Sequence, residues 1–574
     1  MTVDVVDAAS WRHAQHAGGL LRSFNDAEVI EAADVLVAQR LTTMAGEFDD
    51  RVALAVAFVV RAVRGGSVCV ALPALQDQIA RPDLPWPVPQ EWLDAVTASP
   101  LLGSPPVLHL DGDLLYLDRY WLEERQVAQD VLGLVAVRPL GAVPAIDRLF
   151  PAGYEEQRRA AEIALSQGLT VLTGGPGTGK TTTVARLLAL LAEQAELGGK
   201  PRLRVALAAP TGKAAARLQE AVQREVDGLE SADRDRLRGL RATTLHRLLG
   251  SRPDTSSRFR HHRGNRLPHD VIVVDETSMV SLTMMARLLE AVRPQTRLLL
   301  VGDPDQLASV EAGAVLADLV DGLGSRGVAA LQTSHRFGES IGALASAIRA
   351  GDASGALAVL ADGGEHVEWV RADPTARLRE VLVPHALALR QAAMLGDARV
   401  ALAILDEHRL LCAHRHGPFG VAQWNRQVQR WLAEATGEPM WASWYVGRPI
   451  LVTANDYGLK LYNGDTGVTI ATPDGLRAVV GGTVGGPGTF ATGRLTEVET
   501  MHAMTIHKSQ GSQADEVTVL LPPEDSRLLT RELFYTAVTR AKTRVRVVGS
   551  EAEIRAAIAR QAVRATGLRK RLRP

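Results

Sequence analysis

Residues 174–182 read GGPGTGKTT and directly follow an apolar run, residues 169–172, that has the length of a buried strand. They fit the phosphate-loop pattern G-x-x-x-x-G-K-[ST], in which backbone N–H groups curl around an anion at the start of a helix. Lys180 adds a full positive charge, and the Thr181 hydroxyl can ligate magnesium. A glycine turn that only packs a helix on a sheet would not need this Lys-Thr pair. The sequence therefore predicts a nucleoside triphosphate site formed by the whole loop: Gly174, Gly175, Pro176, Gly177, Thr178, Gly179, Lys180, Thr181 and Thr182.

The composition is that of a globular protein with several cores. A chain of 574 residues should hold roughly three or four domains, and 46% hydrophobic with 22% charged residues is ordinary for that class. Two cysteines, Cys69 and Cys412, lie far apart without metal-ligand spacing, so we expect a reducing, cytoplasmic location. The longest apolar run, residues 52–60, is too short to cross a bilayer, so we expect no membrane partner. The net charge of −1 neither indicates nor excludes a polyanionic partner, because local patches decide that.

The hydrophobic pattern divides the chain into three regions. Residues 1–148 read as mainly helical and contain no nucleotide or metal motif, which favours a docking domain. Short apolar runs then alternate with helical stretches, as in parallel sheets covered by helices, whose ligand sites lie at the strand carboxyl ends. We predict an α/β fold with two tandem parallel-sheet domains, residues 149–326 and 327–574. The expected strands are 169–172, 205–208, 271–274 and 298–301 in the first domain, and 328–331, 410–412, 450–453, 517–521 and 545–548 in the second.

Two further segments of the second domain differ from this pattern. Residues 464–497 are rich in Gly, Val and Thr with turn signals, which predicts a small β insertion. The tail is basic, with no carboxylate after Glu553. A solvated, frayed end is the favoured interpretation of the tail, and a phosphate or subunit contact is the alternative.

Polar side chains follow two of the predicted strands of the first domain. In VIVVDETSMV, Asp275 and Glu276 come directly after a strand, where one carboxylate can hold magnesium and the other can act as general base. In LLLVGDPDQL, Gln306 could hydrogen-bond the γ-phosphate or the attacking water. Carboxylates that cap a helix and a polar loop residue are the alternatives. The phosphate loop upstream favours the catalytic interpretation.

Two arginines are candidates for neutralising the transferred phosphoryl group. Arg336 lies in LQTSHRFGES and Arg540 in FYTAVTRAKT, both in the second domain. A guanidinium brought across a domain cleft in this role is worth about 10³–10⁵ in rate, or roughly 4–7 kcal/mol of barrier. A surface salt bridge, the alternative role, is worth at most about 1 kcal/mol.

Eight segments occur in the order of the superfamily 1 DNA helicase motifs: GGPGTGKTT, APTGKAAARL, TLHRLLG, VVDETSM, GDPDQL, SHRF, TIHKSQGS and YTAVTRAK. Their wording resembles the 5′→3′ branch, and in particular the RecD family, the alpha chains of exodeoxyribonuclease V. The resemblance covers about residues 150–550, and GGSVCVAL and LYLDRYWLEER extend it into the N-terminal region. It implies two RecA-like motor domains, a short hairpin inserted at about 251–270 and an SH3-like element at about 464–497.

The resemblance also implies roles for individual residues. Gln157 would read the adenine, and Lys180, Thr181, Asp275, Glu276, Gln306, Arg336 and Arg540 would serve the ATP and Mg²⁺ chemistry. The DNA strand would be held on the first motor domain by Pro210, Thr211, Lys213, Thr244 and His246. On the second it would be held by Thr505, His507, Lys508, Ser509 and Gln510. After TIHKSQGS the family usually has Glu-Phe where this chain has Gln513 and Ala514, so we expect a weaker ribose contact from Gln513.

The DNA-contacting segments implied by the resemblance contain no Trp, Tyr or Phe. Base stacking on an aromatic ring is worth about 1–3 kcal/mol per base. We therefore expect the grip to come mainly from phosphate contacts, which fix position without reading sequence. For each single Thr or Ser, helix capping is the alternative.

By this resemblance the chain is an ATP-driven 5′→3′ single-strand DNA translocase that unwinds duplex ends. It would work with RecB and RecC in a heterotrimeric nuclease–helicase for double-strand-break repair and recombination, with the nuclease centre in another chain. A stand-alone helicase and an ATPase-inactive structural subunit remain alternatives. A P-loop kinase or switch would lack TIHKSQGS and YTAVTRAK.

Overall fold

The computed structural model describes residues 12–139, 144–252, 255–333, 339–371, 373–440, 442–456, 458–481 and 486–573. The N-terminal region is mainly helical, as the sequence predicts. Its helices are α1 (Gly19–Asp26), α2 (Ala32–Ala45), α3 (Asp50–Arg64), α4 (Leu75–Ile79), α5 (Pro89–Ala98) and α6 (Asp118–Ala136). A small antiparallel sheet in the order β1-β3-β2 accompanies them, with strands β1 (Cys69–Ala71), β2 (Leu108–Asp111) and β3 (Leu114–Leu117).

Helix α3 is the centre of the N-terminal core. The Asp49 carboxylate caps its start by accepting a hydrogen bond from the Arg51 backbone N–H. Residues 54–59 of α3 are buried, with Phe58 packed against Trp86 and Trp92. Burial of these rings and the aliphatic side chains around them stabilises the unit through the hydrophobic effect.

The phosphate loop lies in a six-stranded, all-parallel sheet with the order β11-β4-β10-β9-β5-β6. The strands of this first motor domain are β4 (Leu169–Gly174), β5 (Val205–Ala209), β6 (Ala242–Thr244), β7 (Ser251–Arg252), β8 (Thr255–Phe259), β9 (Val271–Val274), β10 (Arg297–Gly302) and β11 (Val328–Leu331). Its helices are α7 (Glu155–Ser166), α8 (Lys180–Leu197), α9 (Gly212–Asp227), α10 (Ser231–Arg236), α11 (Leu245–Leu249), α12 (Leu282–Ala291) and α13 (Val315–Leu323). Strands β7 and β8 form an antiparallel pair inside the segment where a hairpin is expected.

The second parallel sheet has the order β12-β21-β20-β13-β19. The strands after β11 are β12 (Val367–Val370), β13 (His408–Cys412), β14 (Pro449–Val452), β15 (Thr466–Thr472), β16 (Gly475–Val480), β17 (Gly488–Ala491), β18 (Val498–Thr500), β19 (Ala503–Thr505), β20 (Ala514–Leu520) and β21 (Ala541–Val548). The helices are α14 (Glu339–Ala350), α15 (Ala353–Asp362), α16 (Pro374–Met394), α17 (Ala398–Glu407), α18 (Val421–Thr436), α19 (Arg531–Val538), α20 (Glu551–Ala559) and α21 (Leu568–Leu572). The prediction of two tandem RecA-like parallel sheets is confirmed.

Two predicted strands belong to other sheets than expected. Strand β11, placed by the sequence in the second domain, pairs in parallel with β4, so the first sheet continues past the predicted boundary at residue 326. Strand β14 pairs antiparallel with β15 and β18, in a five-stranded sheet with the order β17-β16-β15-β14-β18. The β insertion therefore begins at Pro449, not near residue 464. A short apolar run reveals a buried strand but not its partners, which explains both errors.

The basic tail is docked and not frayed, contrary to the favoured interpretation. Leu568 and Leu572 of α21 are fully buried against the first motor domain. The Arg571 guanidinium donates to Glu124 of α6 at 2.9 Å and also pairs with Asp111. The Glu124 carboxylate is itself fully buried and accepts a backbone hydrogen bond from Gly567 at 3.0 Å. The chain thus returns from the second motor domain to the first and to the N-terminal unit.

We expect the substitution Arg571→Ala to undock the tail. It would leave the buried Glu124 charge without its guanidinium partner, at a cost of about 3 kcal/mol. Thermolysin should then cleave the chain near α21 faster, and the melting temperature should fall. Arg573→Ala, a change at an exposed position of the same tail, is the matched control. Equal cleavage rates for the two variants would contradict this assignment.

Candidate nucleotide site and nucleic-acid interface

The phosphate loop joins the end of β4 to the start of α8. Gly177 and Gly179 have φ values of +82° and +80°, in the left-handed region that favours glycine. At Gly174 a Cβ atom would lie 2.7 Å from the Leu331 carbonyl oxygen, so the close approach of β11 also requires glycine. The Lys180 ammonium donates to the carbonyl oxygens of Gly174 at 2.6 Å and Gly175 at 2.8 Å. The ammonium therefore lies folded over the loop, where a phosphate can replace the carbonyl oxygens as its partner.

The acidic pair directly follows β9, at the carboxyl edge of the same sheet and two strands away from β4. The Glu276 backbone N–H donates to the Asp275 carboxylate at 2.9 Å, and Glu276 has a left-handed φ of +50°. Such a conformation is strained for a residue with a side chain and is typical of functional sites. Burial, with the neighbouring Glu276 charge, raises the pKa of Asp275 to about 6. A divalent cation bound to this carboxylate would lower that pKa again.

A buried hydrogen-bond chain connects the two motor domains beside the loop. Arg540 donates through Nη2 to Gln306 Oε1 at 2.6 Å. Gln306 in turn donates to Asp303 at 3.0 Å, and the Tyr535 hydroxyl of the second domain donates to the same carboxylate oxygen at 3.1 Å. Burial lowers the pKa of Arg540 and raises that of Asp303. Gln306 therefore receives the second domain's arginine directly.

Arg540 is a buried cation that has no carboxylate ion-pair partner among the residues that the structure describes. Its exposed fraction is 4%, and within the described part of the chain its guanidinium bonds to Gln306 and to the carbonyl oxygens of Ser512 and Thr536. A buried charge is costly unless it is paired. Arg540 lines the cavity beside the phosphate loop, where a nucleotide polyphosphate would supply a negative charge.

A cavity of about 900 Å³ brings most of the predicted nucleotide residues together. Its walls include Gln157, Pro176, Gly177, Gly179, Lys180, Thr181, Thr182, Asp275, Glu276, Gln306, Gln513 and Arg540. Gly174, Gly175 and Thr178 are loop residues outside this set, and the Thr178 hydroxyl donates to the Gly175 carbonyl oxygen at 2.9 Å. Arg336 lies outside the described residues, so its predicted role stays a prediction.

Several cavity residues were missed by the sequence analysis. Tyr154 and Arg186 line the cavity together with Gln157, and the Arg186 guanidinium carbon lies 5.2 Å from the centre of the Tyr154 ring. Arg217 donates to Gln513 Oε1 at 2.9 Å and to the Gly511 carbonyl oxygen at 2.9 Å. A usable signal existed for Arg217, since it lies one helical turn after Lys213. The acceptor expected to hold a ribose hydroxyl is thus bonded to Arg217 in this conformation.

The predicted DNA residues of the first motor domain lie at adjacent strand ends. Pro210 and Thr211 follow β5, and Thr244 ends β6, which pairs with β5. The Thr211 and Thr244 hydroxyls accept backbone hydrogen bonds from Ala214 and Arg247, both at 3.2 Å, so each caps a helix. Capping still leaves a threonine oxygen able to meet a phosphate. His246 is exposed and packs edge-on against Phe259 of the hairpin.

The predicted DNA residues of the second domain divide into two groups. Thr505 accepts a hydrogen bond from the Lys508 backbone, and the Lys508 ammonium pairs with Glu499 at 3.2 Å. His507 is partly buried. Ser509 and Gln510 are buried and bond internally, to the carbonyl oxygens of Ile506 and Leu307, both at 2.7 Å. In this conformation Gln510 holds the two motor domains together next to the nucleotide cavity.

The predicted DNA-contacting segments contain no Trp, Tyr or Phe, but Tyr462 of the β insertion packs against one of them. A Cβ atom at Gly212 would lie 2.9 Å from Tyr462 Cβ, and Arg247 donates to the Tyr462 hydroxyl at 3.3 Å. Tyr462 therefore lies against the loop that contains Thr211. No local pattern could place it there, because the two positions are 250 residues apart in sequence. Among the described helices, none has the length and apolarity needed to span a membrane.

Two facing parallel sheets with a nucleotide cavity between them define a P-loop motor of the DNA helicase type. Family models agree: an AAA domain matches residues 157–312, a UvrD-like helicase C-terminal domain matches 500–548, and the N-terminal domain of the RecBCD enzyme subunit RecD matches 26–116. The RecBCD enzyme subunit RecD of Mycolicibacterium smegmatis is 80% identical over 97% of this chain and 99% of its own length. That of Mycobacterium tuberculosis H37Rv is 69% identical over 97% and 98%.

The chain belongs to the RecD family of RecBCD enzyme subunits. A more distant relative, the ATP-dependent RecD2 DNA helicase of Deinococcus radiodurans, is 32% identical over 83% of this chain and 61% of its own length. The resemblance inferred from the eight motifs is confirmed.

Proposed function

We propose that this chain is an ATP- and Mg²⁺-dependent DNA helicase that moves 5′→3′ along single-stranded DNA. It acts as one subunit of an exodeoxyribonuclease V assembly with RecB- and RecC-type chains, in double-strand-break repair and recombination. The observation that carries the proposal is the buried Arg540, bonded to Gln306 of the other domain and left without a carboxylate partner among the described residues. The partner chains are proposed because the relatives are named as RecD subunits of the RecBCD enzyme.

The residues of the cavity fit the nucleotide and its metal. Lys180 would hold the β- and γ-phosphates, while Thr181 and Asp275 offer the oxygen ligands that Mg²⁺ prefers. When bound, the ion would neutralise charge on the phosphates and orient them. Glu276 would take the proton of the attacking water. Arg540 would neutralise the charge that develops on the transferred group, and Gln306 would relay the state of the γ-phosphate to the second domain.

DNA would bind where the first and second domains present Thr211, Thr244, Thr505 and Lys508. Opening and closing of the cleft would move these two sets of contacts relative to each other, and so move the protein along the strand.

The proposed 5′→3′ polarity comes from the family resemblance. It is tested by strand displacement on duplexes that carry a 5′ or a 3′ single-stranded tail, with the chain co-expressed with its beta and gamma partners. Unwinding from the 3′ tail alone would refute it.

Lys180→Gln should abolish DNA-stimulated ATP hydrolysis while the chain still assembles with its partners. The amide keeps a polar group but removes the charge that binds the phosphates. Steady-state hydrolysis and size-exclusion chromatography measure the two properties. Lys200→Gln, at an exposed position, is the control. Undiminished hydrolysis by the purified Lys180 variant would refute the site, whereas no DNA-stimulated hydrolysis by the unsubstituted chain would favour the alternative of a structural subunit whose ATPase has decayed.

Arg540→Ala should lower kcat for ATP hydrolysis by about 10³-fold or more with a much smaller change in KM. Its guanidinium is proposed to act mainly on charge that develops in the transition state, so its loss lowers the rate more than ground-state binding. Arg555→Ala, which removes an exposed arginine from the same domain, is the control. A loss confined to KM would show that Arg540 only binds nucleotide.

A further inference from the structure

A second cavity, of about 500 Å³, opens beside the nucleotide cavity between the two motor domains. Helix α9 of the first domain forms one wall with Lys213 and Arg217. Helix α17 and the β insertion form the opposite wall with Asp406 and Asp465. Arg217, Arg224 and Gln513 line both cavities. Any closure of the cleft around the nucleotide must therefore also narrow this second cavity.

Lys213 is the residue of this cavity that differs most from its expected role. The family resemblance implies a DNA contact, yet its side chain lines the cavity between the domains. Burial lowers its pKa to about 8, and the neighbouring Arg409 contributes to the decrease. Among the described residues its ammonium makes no hydrogen bond or ion pair, although the charges of Asp406 and Asp465 lie near it. Its charge is thus half-buried and has no ion pair among the described residues.

Asp465 is its counterpart on the opposite wall. It is 2% exposed, and its Oδ2 accepts a hydrogen bond from the Tyr462 backbone at 2.8 Å. In the described part of the chain its carboxylate has no ion pair, and burial raises its pKa to about 6. A buried carboxylate with one neutral donor is also under-stabilised. The two walls of one cavity therefore hold an unpaired cation and an unpaired anion.

Several other charges at the cavity already have partners, and Glu220 and Arg224 line it from the same helix as Lys213, so neither faces Lys213 across the gap. Asp406 pairs with Arg409 at 2.6 Å, and Lys542 pairs with Asp515 at 2.9 Å. Arg217 bonds across the cleft to Gln513. Glu220 is on the same helix as Lys213, two turns further on, and is exposed. Of the two carboxylates on the opposite wall, Asp406 already has an ion pair, and Asp465 is the one that has none among the described residues.

The two residues also sit next to an existing contact between the same segments. Tyr462, three residues before Asp465, packs on Gly212, the residue before Lys213. The start of α9 and the insertion loop therefore touch already at one point. A modest inward rotation about this contact would bring the ammonium and the carboxylate together, and their pairing would relieve both desolvation costs.

We propose that Lys213 and Asp465 form an ion pair across the cleft when nucleotide closes it, so that Lys213 is a positioning residue for closure and not a DNA contact. The proposal rests on the proposed function in that it takes nucleotide as the trigger. Because the pair exists in the closed state alone, its free energy favours that state over the open one. It would join the nucleotide cavity to the β insertion through the rigid helix α9.

A charge-reversal experiment tests the pairing in the full chain purified with its partner subunits. Lys213→Met and Asp465→Asn should each lower DNA-stimulated kcat/KM for ATP about tenfold. Affinity for single-stranded DNA without nucleotide should not change. The double variant Lys213→Asp/Asp465→Lys should recover most of the loss, as a general structural role would not allow. Lys542→Met, which removes another lysine from the same cavity, is the matched control.

Two results would overturn the proposal. One is weaker nucleotide-free DNA binding in Lys213→Met with no effect of Asp465→Asn, which would make Lys213 a DNA contact. The other is a charge-reversed double variant no better than the worse single one.

A second measurement separates this proposal from the proposed helicase function. In Lys213→Cys/Asp465→Cys, oxidation should form a disulfide several-fold faster with ADP–aluminium fluoride bound than without nucleotide, in the absence of DNA. Cys69 and Cys412 are buried and should not interfere. Nucleotide-dependent cross-linking of this variant, together with failure of the unsubstituted assembly to unwind DNA, would support the Lys213–Asp465 ion pair and refute the helicase function. Equal rates of disulfide formation with and without nucleotide would refute the Lys213–Asp465 ion pair and leave the proposed helicase function unaffected.

Discussion

The structure depends on one constraint: a guanidinium from the second motor domain is buried in the nucleotide cavity of the first. Arg540 lies between the end of α19 and the start of β21 and reaches Gln306 after β10, so the amino edge of the second sheet lies against the carboxyl edge of the first at this point. Tyr535 and Gln510 make further bonds across the same cleft, to Asp303 and to the Leu307 carbonyl oxygen. The loop that follows β10 is therefore a surface that both domains share. Through it, a nucleotide bound to the first domain would affect the position of the second.

The path of the chain limits how the two domains can move. After the second sheet is complete, the tail crosses back, and Arg564 bonds to the carbonyl oxygens of Glu311 and Gly313 in the first domain. Helix α21 then buries two leucines against that domain and ties it to α6. The domains are thus tethered on one side by the tail and touch through Tyr462 near the start of α9. Motion between such attachments is a hinge rather than a free separation.

The sequence predicted the parts of the site that depend on local chemistry. The phosphate loop, Asp275, Glu276 and Gln306 each follow a buried strand, so their place at the carboxyl edge could be inferred from the strand alone. What depends on long-range pairing could not. The apolar run 328–331 looks the same whether it starts a second sheet or completes the first. The number of charges in the tail could not predict that it docks, because its buried partner Glu124 lies more than 400 residues upstream. Tyr462 joins the interface for the same kind of reason.

Helix α9 shows why single residue roles carried over from a motif are less secure than the motif itself. Thr211 caps the helix at the strand edge, while Lys213 and Arg217, one turn apart, face the second domain. Arg217 already holds Gln513, at the position where the family usually has a glutamate. A glutamine accepts this bond without a full ion pair, so the cleft is held less tightly there than a carboxylate would hold it. Different side chains of one rigid helix therefore contact the strand edge, the nucleotide cavity and the β insertion. A displacement of the helix at any one of these three places moves its side chains at the other two.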